Sequence, residues 1–144
     1  MNLSINKLKE AVKAVKQLEL QTVDWEHKES PAKWSKKEIT GHLIDSAQIN
    51  LQRFVRCTYE EGFRLTYEQV EWVQAARYQQ ADIGELIDLW ALLNLQIIRV
   101  LANYPADRLN SKCDNSKQEP NLQTVEWLAA DYVEHMLHHL KNIL

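Results

Sequence analysis

Three of the five histidines fall between positions 135 and 139, in the run Asp131-Tyr132-Val133-Glu134-His135-Met136-Leu137-His138-His139-Leu140. At 3.6 residues per turn, His135 and His139 form an i, i+4 pair on one helical face. Val125, Leu128, Tyr132 and Met136 share that face, so the pattern predicts that the pair points inward. His138 follows Asp131, Glu134 and Lys141 and is predicted to face water. Two neutral imidazoles on adjacent turns suit a transition metal ion such as zinc or nickel. A third ligand has to come from elsewhere in the chain, and His42 is the candidate. Three protein ligands would leave a coordination position open for water or substrate, as a catalytic metal requires.

The pair is HxxxH rather than the HExxH of zinc proteases, because Met136 stands where their general base would be. A base must therefore lie elsewhere. Asp45, three residues after His42, could orient a ligand or accept a proton; a solvated helix residue is the competing reading. Asp131 tracks with His138 and is a weaker choice. His27 falls in a connecting stretch and reads as surface. Trp34, Trp72, Trp90 and Trp127 read as core or staple residues. Trp72 and Tyr78, with Asn94, are the candidates to line a pocket.

Four helical segments must carry these groups. From about Ser4 to Val23, Leu8, Ala11, Val12, Val15 and Leu18 recur at spacings of three and four between lysines, which predicts an amphipathic helix. Pro31 marks the following loop. Ser35 and Glu38 then form a capping box, with Trp34 and Ile39 placed for a hydrophobic staple. The second helix runs to about Tyr59, and its inward stripe of Ile39, His42, Leu43, Ser46, Ile49, Asn50, Arg53 and Cys57 is unusually polar. Inward polar groups are costly unless paired, which hints at a site. Residues 60–81 form a long joint with a short helix capped between Thr66 and Gln69 and carrying Val70, Trp72 and Val73. The third long helix starts at the Asp82/Glu85 pair and runs to about Tyr104, before Pro105. A polar loop over 106–121 holds Cys113 and Pro120. The fourth helix begins near Asn121 to Thr124 and runs to the C-terminus, with Lys141 complementing its dipole.

The expected fold is an all-α four-helix bundle spanning 1–144 as one domain. His42 lies near the start of the second helix, and His135 and His139 near the end of the fourth. Parallel helices would offset His42 from His139 by roughly 15 Å at 1.5 Å per residue. A shared metal thus requires these helices to be antiparallel, which gives up-down-down-up order. The joint at 60–81 must then be a crossover, and about twenty extended residues can span some 65 Å, past a helix of about 35 Å.

Bulk composition narrows the function. The apolar fraction of 45% and charged fraction of 26% suit a globular protein, and only three glycines and three prolines favour long helices over tight turns. The net charge of −3 and the scattered lysines argue against a nucleic-acid partner. The most apolar run, Leu89 to Ala102, is interrupted by Asn94, Gln96 and Arg99, which excludes a membrane span. Cys57 and Cys113 lack CxxC spacing, Cys57 reading as core and Cys113 as loop, and the expected compartment is a reducing cytoplasm.

Two stretches carry a family likeness. Trp34-Ser35-Lys36-Lys37-Glu38-Ile39-Thr40-Gly41-His42-Leu43-Ile44-Asp45-Ser46 resembles the second-helix motif of the DinB-like (YfiT-like) metalloenzyme superfamily, and Tyr132 to Leu140 resembles its fourth-helix motif. The resemblance implies an up-down-down-up bundle, with a metal held at the positions of His42, His135 and His139. It also implies a homodimer acting on a small-molecule substrate. Activities in such a family include transfer reactions using low-molecular-weight thiols, such as bacillithiol-dependent S-transferases and a mycothiol-dependent isomerase, and metal-dependent hydrolysis. No thiol-cofactor signature is recognisable in this sequence. The leading expectation is a thiol-dependent transferase. The alternatives are a hydrolase using metal-bound water, and a bundle serving as a binding or dimerisation module without catalysis.

Overall fold

The computed structural model describes residues 1–144. Its four long helices are α1 (Asn2–Lys16), α2 (Lys36–Arg56), α4 (Ile83–Ala102) and α5 (Val125–Leu140), with a short α3 (Gln69–Ala76) in the joint. The predicted start signals form. Ser35 Oγ accepts from the Glu38 amide, and Glu38 returns the bond to the Ser35 amide, closing the capping box of α2. Asp82 caps α4 through the Glu85 amide, and Thr124 caps α5 through the Trp127 amide. Such caps are each worth ~1 kcal/mol. Only the first helix is much shorter than its hydrophobic period, because the chain turns away after Lys16 and makes a 3₁₀ turn at Leu20–Thr22.

Helix directions follow from contacts at the helix ends. The Met1 amino group reaches Glu126 at 3.1 Å and Lys7 reaches Glu134 at 2.8 Å, so α1 and α5 rise together. Tyr78, just before α4, bonds Asp45 early in α2, while Tyr104, just after α4, donates to the Phe54 carbonyl late in α2. Hence α2 and α4 are parallel. The Phe54 ring stands 6.4 Å from that of Tyr132, and His42 meets His135 and His139, so α2 and α5 are antiparallel. This is the up-down-down-up order that a shared histidine site demands. Both α4 and α5 pack on α1 and on α2, around a core that includes Leu8, Ile44, Phe54, Trp90, Ile97, Leu128 and Met136.

The two long connections meet in a small sheet that periodicity did not predict. Strand β1 (Phe63–Arg64) runs parallel to β2 (Lys112–Asp114), which pairs antiparallel with β3 (Leu122–Thr124). Strands of two or three residues carry too little alternation to be read in advance. Their pairing corrects the placement of Cys113 in a polar loop: it lies opposite Phe63 in the sheet and is fully buried. Trp127 is also no core residue, being 42% exposed on the outer side of α5.

The polar stripe of α2 divides between structural work and the site. Arg53 donates from Nε to the Leu65 carbonyl at 3.1 Å and from Nη1 to Asn50, pinning the crossover to α2. Asn50 in turn donates to the Ser46 carbonyl at 2.9 Å. Those three residues are buried because the crossover covers them, and their hydrogen bonds offset the cost of burial. His42 is left as the stripe's buried group with no such use.

Candidate metal centre

His42 is carried two turns into α2, and its ring faces the last two turns of α5. Its Nε2 stands 3.3 Å from His135 Nε2. Ring centroids are 5.5 Å apart for His42 and His135, 5.0 Å for His42 and His139, and 4.6 Å for His135 and His139. One ring nitrogen from each of the three lies within 4.8 Å of the other two. Zinc–imidazole bonds of about 2.0–2.1 Å in a tetrahedron separate neighbouring nitrogens by about 3.3 Å. The His42–His135 pair already has that spacing, and small rotations of χ would bring His139 to it. The donor set therefore fits a divalent transition ion.

Electrostatics point the same way. Burial, together with the two neighbouring imidazoles, lowers the pKa of His42 to about 4. His135 and His139 are lowered as well, by desolvation of their rings where they face His42 and by the neighbouring His138. All three are therefore neutral near pH 7, the protonation state a metal ligand needs. His42 Nδ1 is buried with no hydrogen-bond partner, whereas metal-binding histidines usually donate their second nitrogen to an acceptor. What orients this ring instead is Trp34, whose ring centroid lies 5.0 Å away at a 35° tilt. The residue before the N-cap thus doubles as a wall of the site, a role its staple position alone did not signal.

Exposure departs from the sequence expectation. The His135/His139 face was expected to point inward, yet His135 is exposed and His139 half-buried, while His42 is buried. The periodicity holds for Leu128, Tyr132, Met136 and Leu140, but His135 and His139 flank that stripe on the side turned to α2, and the cluster opens to solvent there. His138 is exposed, its ring 5.7 Å from that of His139, and His27 is exposed in the loop after α1.

The remaining candidates separate from the cluster. Asp45 is 2% exposed, which rules out a solvated helix residue. It accepts from the Tyr78 hydroxyl at 2.6 Å and forms no bond to any of the three histidines. Tyr78 and Trp72 line a cavity beside Asp45. Asn94 is fully buried and spends its amide inside the core, accepting from the Tyr132 hydroxyl and donating to the Trp90 carbonyl. The Asp45–Tyr78 pairing was missed, although Gly41 signalled it. A helix-interior glycine costs about 1 kcal/mol against alanine and marks a close approach.

An up-down-down-up bundle with a solvent-open cluster of three neutral histidines defines a class of candidate metalloproteins. The family model of the DinB superfamily matches residues 7–143, and the chain belongs to that superfamily. Among solved structures it is similar to YfiT from Bacillus subtilis, with a TM-score of 0.84 and 20% identity over 99% of this chain and 82% of that one. YfiT is described as a probable metal-dependent hydrolase with an unusual four-helix bundle topology. No curated protein matches the chain in sequence.

Proposed function

We propose that this protein is a metal-dependent enzyme in which His42, His135 and His139 hold a divalent transition ion, zinc or nickel, that activates a small nucleophile. The observation that carries this reading is the convergence of three neutral imidazoles from two antiparallel helices on one rim open to solvent. A divalent metal there supplies Lewis acidity, enough to ionise a coordinated thiol or water near neutral pH. His42 would hold such an ion from the buried side, with Trp34 packed against its ring. The exposed edge at His135 leaves room for the small-molecule substrate.

The nucleophile we favour is a low-molecular-weight thiol, in a transfer reaction. No carboxylate belongs to the histidine cluster, and a thiol, with its pKa of about 8.5, asks least of a protein base. Hydrolysis is the second reading, favoured by the structural similarity to YfiT and its description as a probable metal-dependent hydrolase. Elemental mass spectrometry of the purified protein, beside His42→Ala, tests the common premise. Near-stoichiometric metal that is lost in the variant supports it, and absence of metal after zinc and nickel are offered sinks it. Chelator-sensitive turnover of electrophiles that appears only with added thiol identifies the transferase. Turnover without thiol identifies the hydrolase.

A further inference from the structure

Gly41 and Asp45 lie one turn apart on α2, and the Tyr78 ring occupies the space beside Gly41. A Cβ at Gly41 would fall 2.0 Å from Tyr78 Cδ2. Held there, Tyr78 donates its hydroxyl to Asp45 Oδ1, and the other carboxyl oxygen, Oδ2, is buried with no partner. Anchoring Tyr78 does not explain a carboxylate, since an asparagine oxygen would accept the same bond without the charge. Leaving a buried acceptor unsatisfied destabilises the fold. Burial also pushes the Asp45 carboxyl up to about 6 from its ordinary 3.8, a measure of how poorly the protein by itself serves the anion.

Asp45 lines a cavity of about 520 Å³ between α2 and the crossover. Its other walls include Glu71, Trp72 and Tyr78, and the small side chains of Ala75 and Ala76 leave it wide. That volume suits a small ligand. A buried carboxyl with one oxygen unpartnered, a second acid and two aromatic side chains around one cavity form the usual chemistry for a cation with N–H donors: charge-assisted hydrogen bonding and cation–π contact. None of the three clustered histidines lines this cavity.

We infer that the cavity between α2 and α3 is a second binding site, for a small organic cation bearing N–H donors, with the Asp45 carboxylate as its principal countercharge and Trp72 as its aromatic wall. It stands independently of the metal reading.

Benzamidine, a flat cation that ligates metals poorly, is a suitable probe, and benzamide is its neutral isostere. Calorimetric titration is run on the native protein, on Asp45→Asn and on Trp72→Ala, each with and without prior chelation. The expected result is benzamidine binding at least tenfold tighter than benzamide, weakened at least tenfold in Asp45→Asn and weakened in Trp72→Ala. Chelation should leave it unchanged. Amide NMR shifts should cluster at residues 45–48 and 71–78 in the native protein and disappear in Asp45→Asn. The inference is overturned if benzamidine does not bind, if benzamide binds equally well, or if the Asp45→Asn protein, shown folded by circular dichroism, binds unchanged. Binding abolished by chelation, with shifts at His135 and His139, would also overturn it by assigning the probe to the histidine cluster.

Discussion

Two neighbouring sites on α2, three residues apart, handle buried ionisable groups in opposite ways. At one, His42 is buried against α5 and joined by two more imidazoles. At the other, Asp45 is buried against the crossover and joined by a single phenol. Desolvation acts on both, yet it pushes the base down to about 4 and the acid up to about 6, because burial penalises whichever form is charged. The lesson is chemical. Low dielectric prepares a histidine for metal binding by keeping it neutral, while the same treatment makes a carboxylate costly to keep.

Changing His42 should have the largest effect. Loss of His42 leaves only the His135/His139 pair, so His42→Ala should weaken zinc affinity by more than ~100-fold in competition titrations, beyond what loss of a supporting partner costs. An affinity within tenfold of native would show that His42 is not a ligand. At the Asp45 site, Gly41→Ala should drive a methyl group into the Tyr78 ring. Overpacking and loss of the Tyr78–Asp45 bond, less the helix propensity gained, give a destabilisation of ~2–3 kcal/mol in urea melts. A variant as stable as native would mean that Tyr78 moves aside freely.

The opposite shifts predict opposite pH slopes. In chelated protein His42 binds a proton more readily unfolded, at 6.5, than folded, at about 4. Its contribution to stability is therefore present above pH 6.5 and is lost as pH falls toward 4. For Asp45 the folded value is the higher one, so its penalty is absent below 3.8 and grows as pH rises through 6. Asp45→Asn removes that penalty and adds one unpaired amide donor. It should stabilise the fold by ~2 kcal/mol at pH 8, with the gain closing by pH 4. Denaturant midpoints across this range check the sign, and a gain that is the same at both pH values would contradict it. The smallest effect belongs to exposed His138: replacement by alanine should change stability by less than ~0.5 kcal/mol and leave metal content unaltered.

Much of this molecule follows from sequence alone. The Ser35/Glu38 box, the Asp82 cap and the 3.6-residue periods determine where the long helices start and which side chains they bury, because these are local interactions written within a few residues. The grouping of His42 with His135 and His139 was legible too, since helix rise converts sequence position into depth and leaves one relative direction of α2 and α5 that works. Tertiary structure decided the rest. Cys113 is buried because two distant connections pair through their backbones, which leaves no periodicity to read. His135 is exposed because it flanks the buried stripe of Leu128, Tyr132, Met136 and Leu140, and how wide that stripe is depends on which helices pack against it. Asp45 meets Tyr78 across thirty-three positions only because the crossover folds back over Gly41. Local propensity sets each helix and its faces, but contacts across the chain depend on how the faces are brought together, and no window of the sequence contains that information.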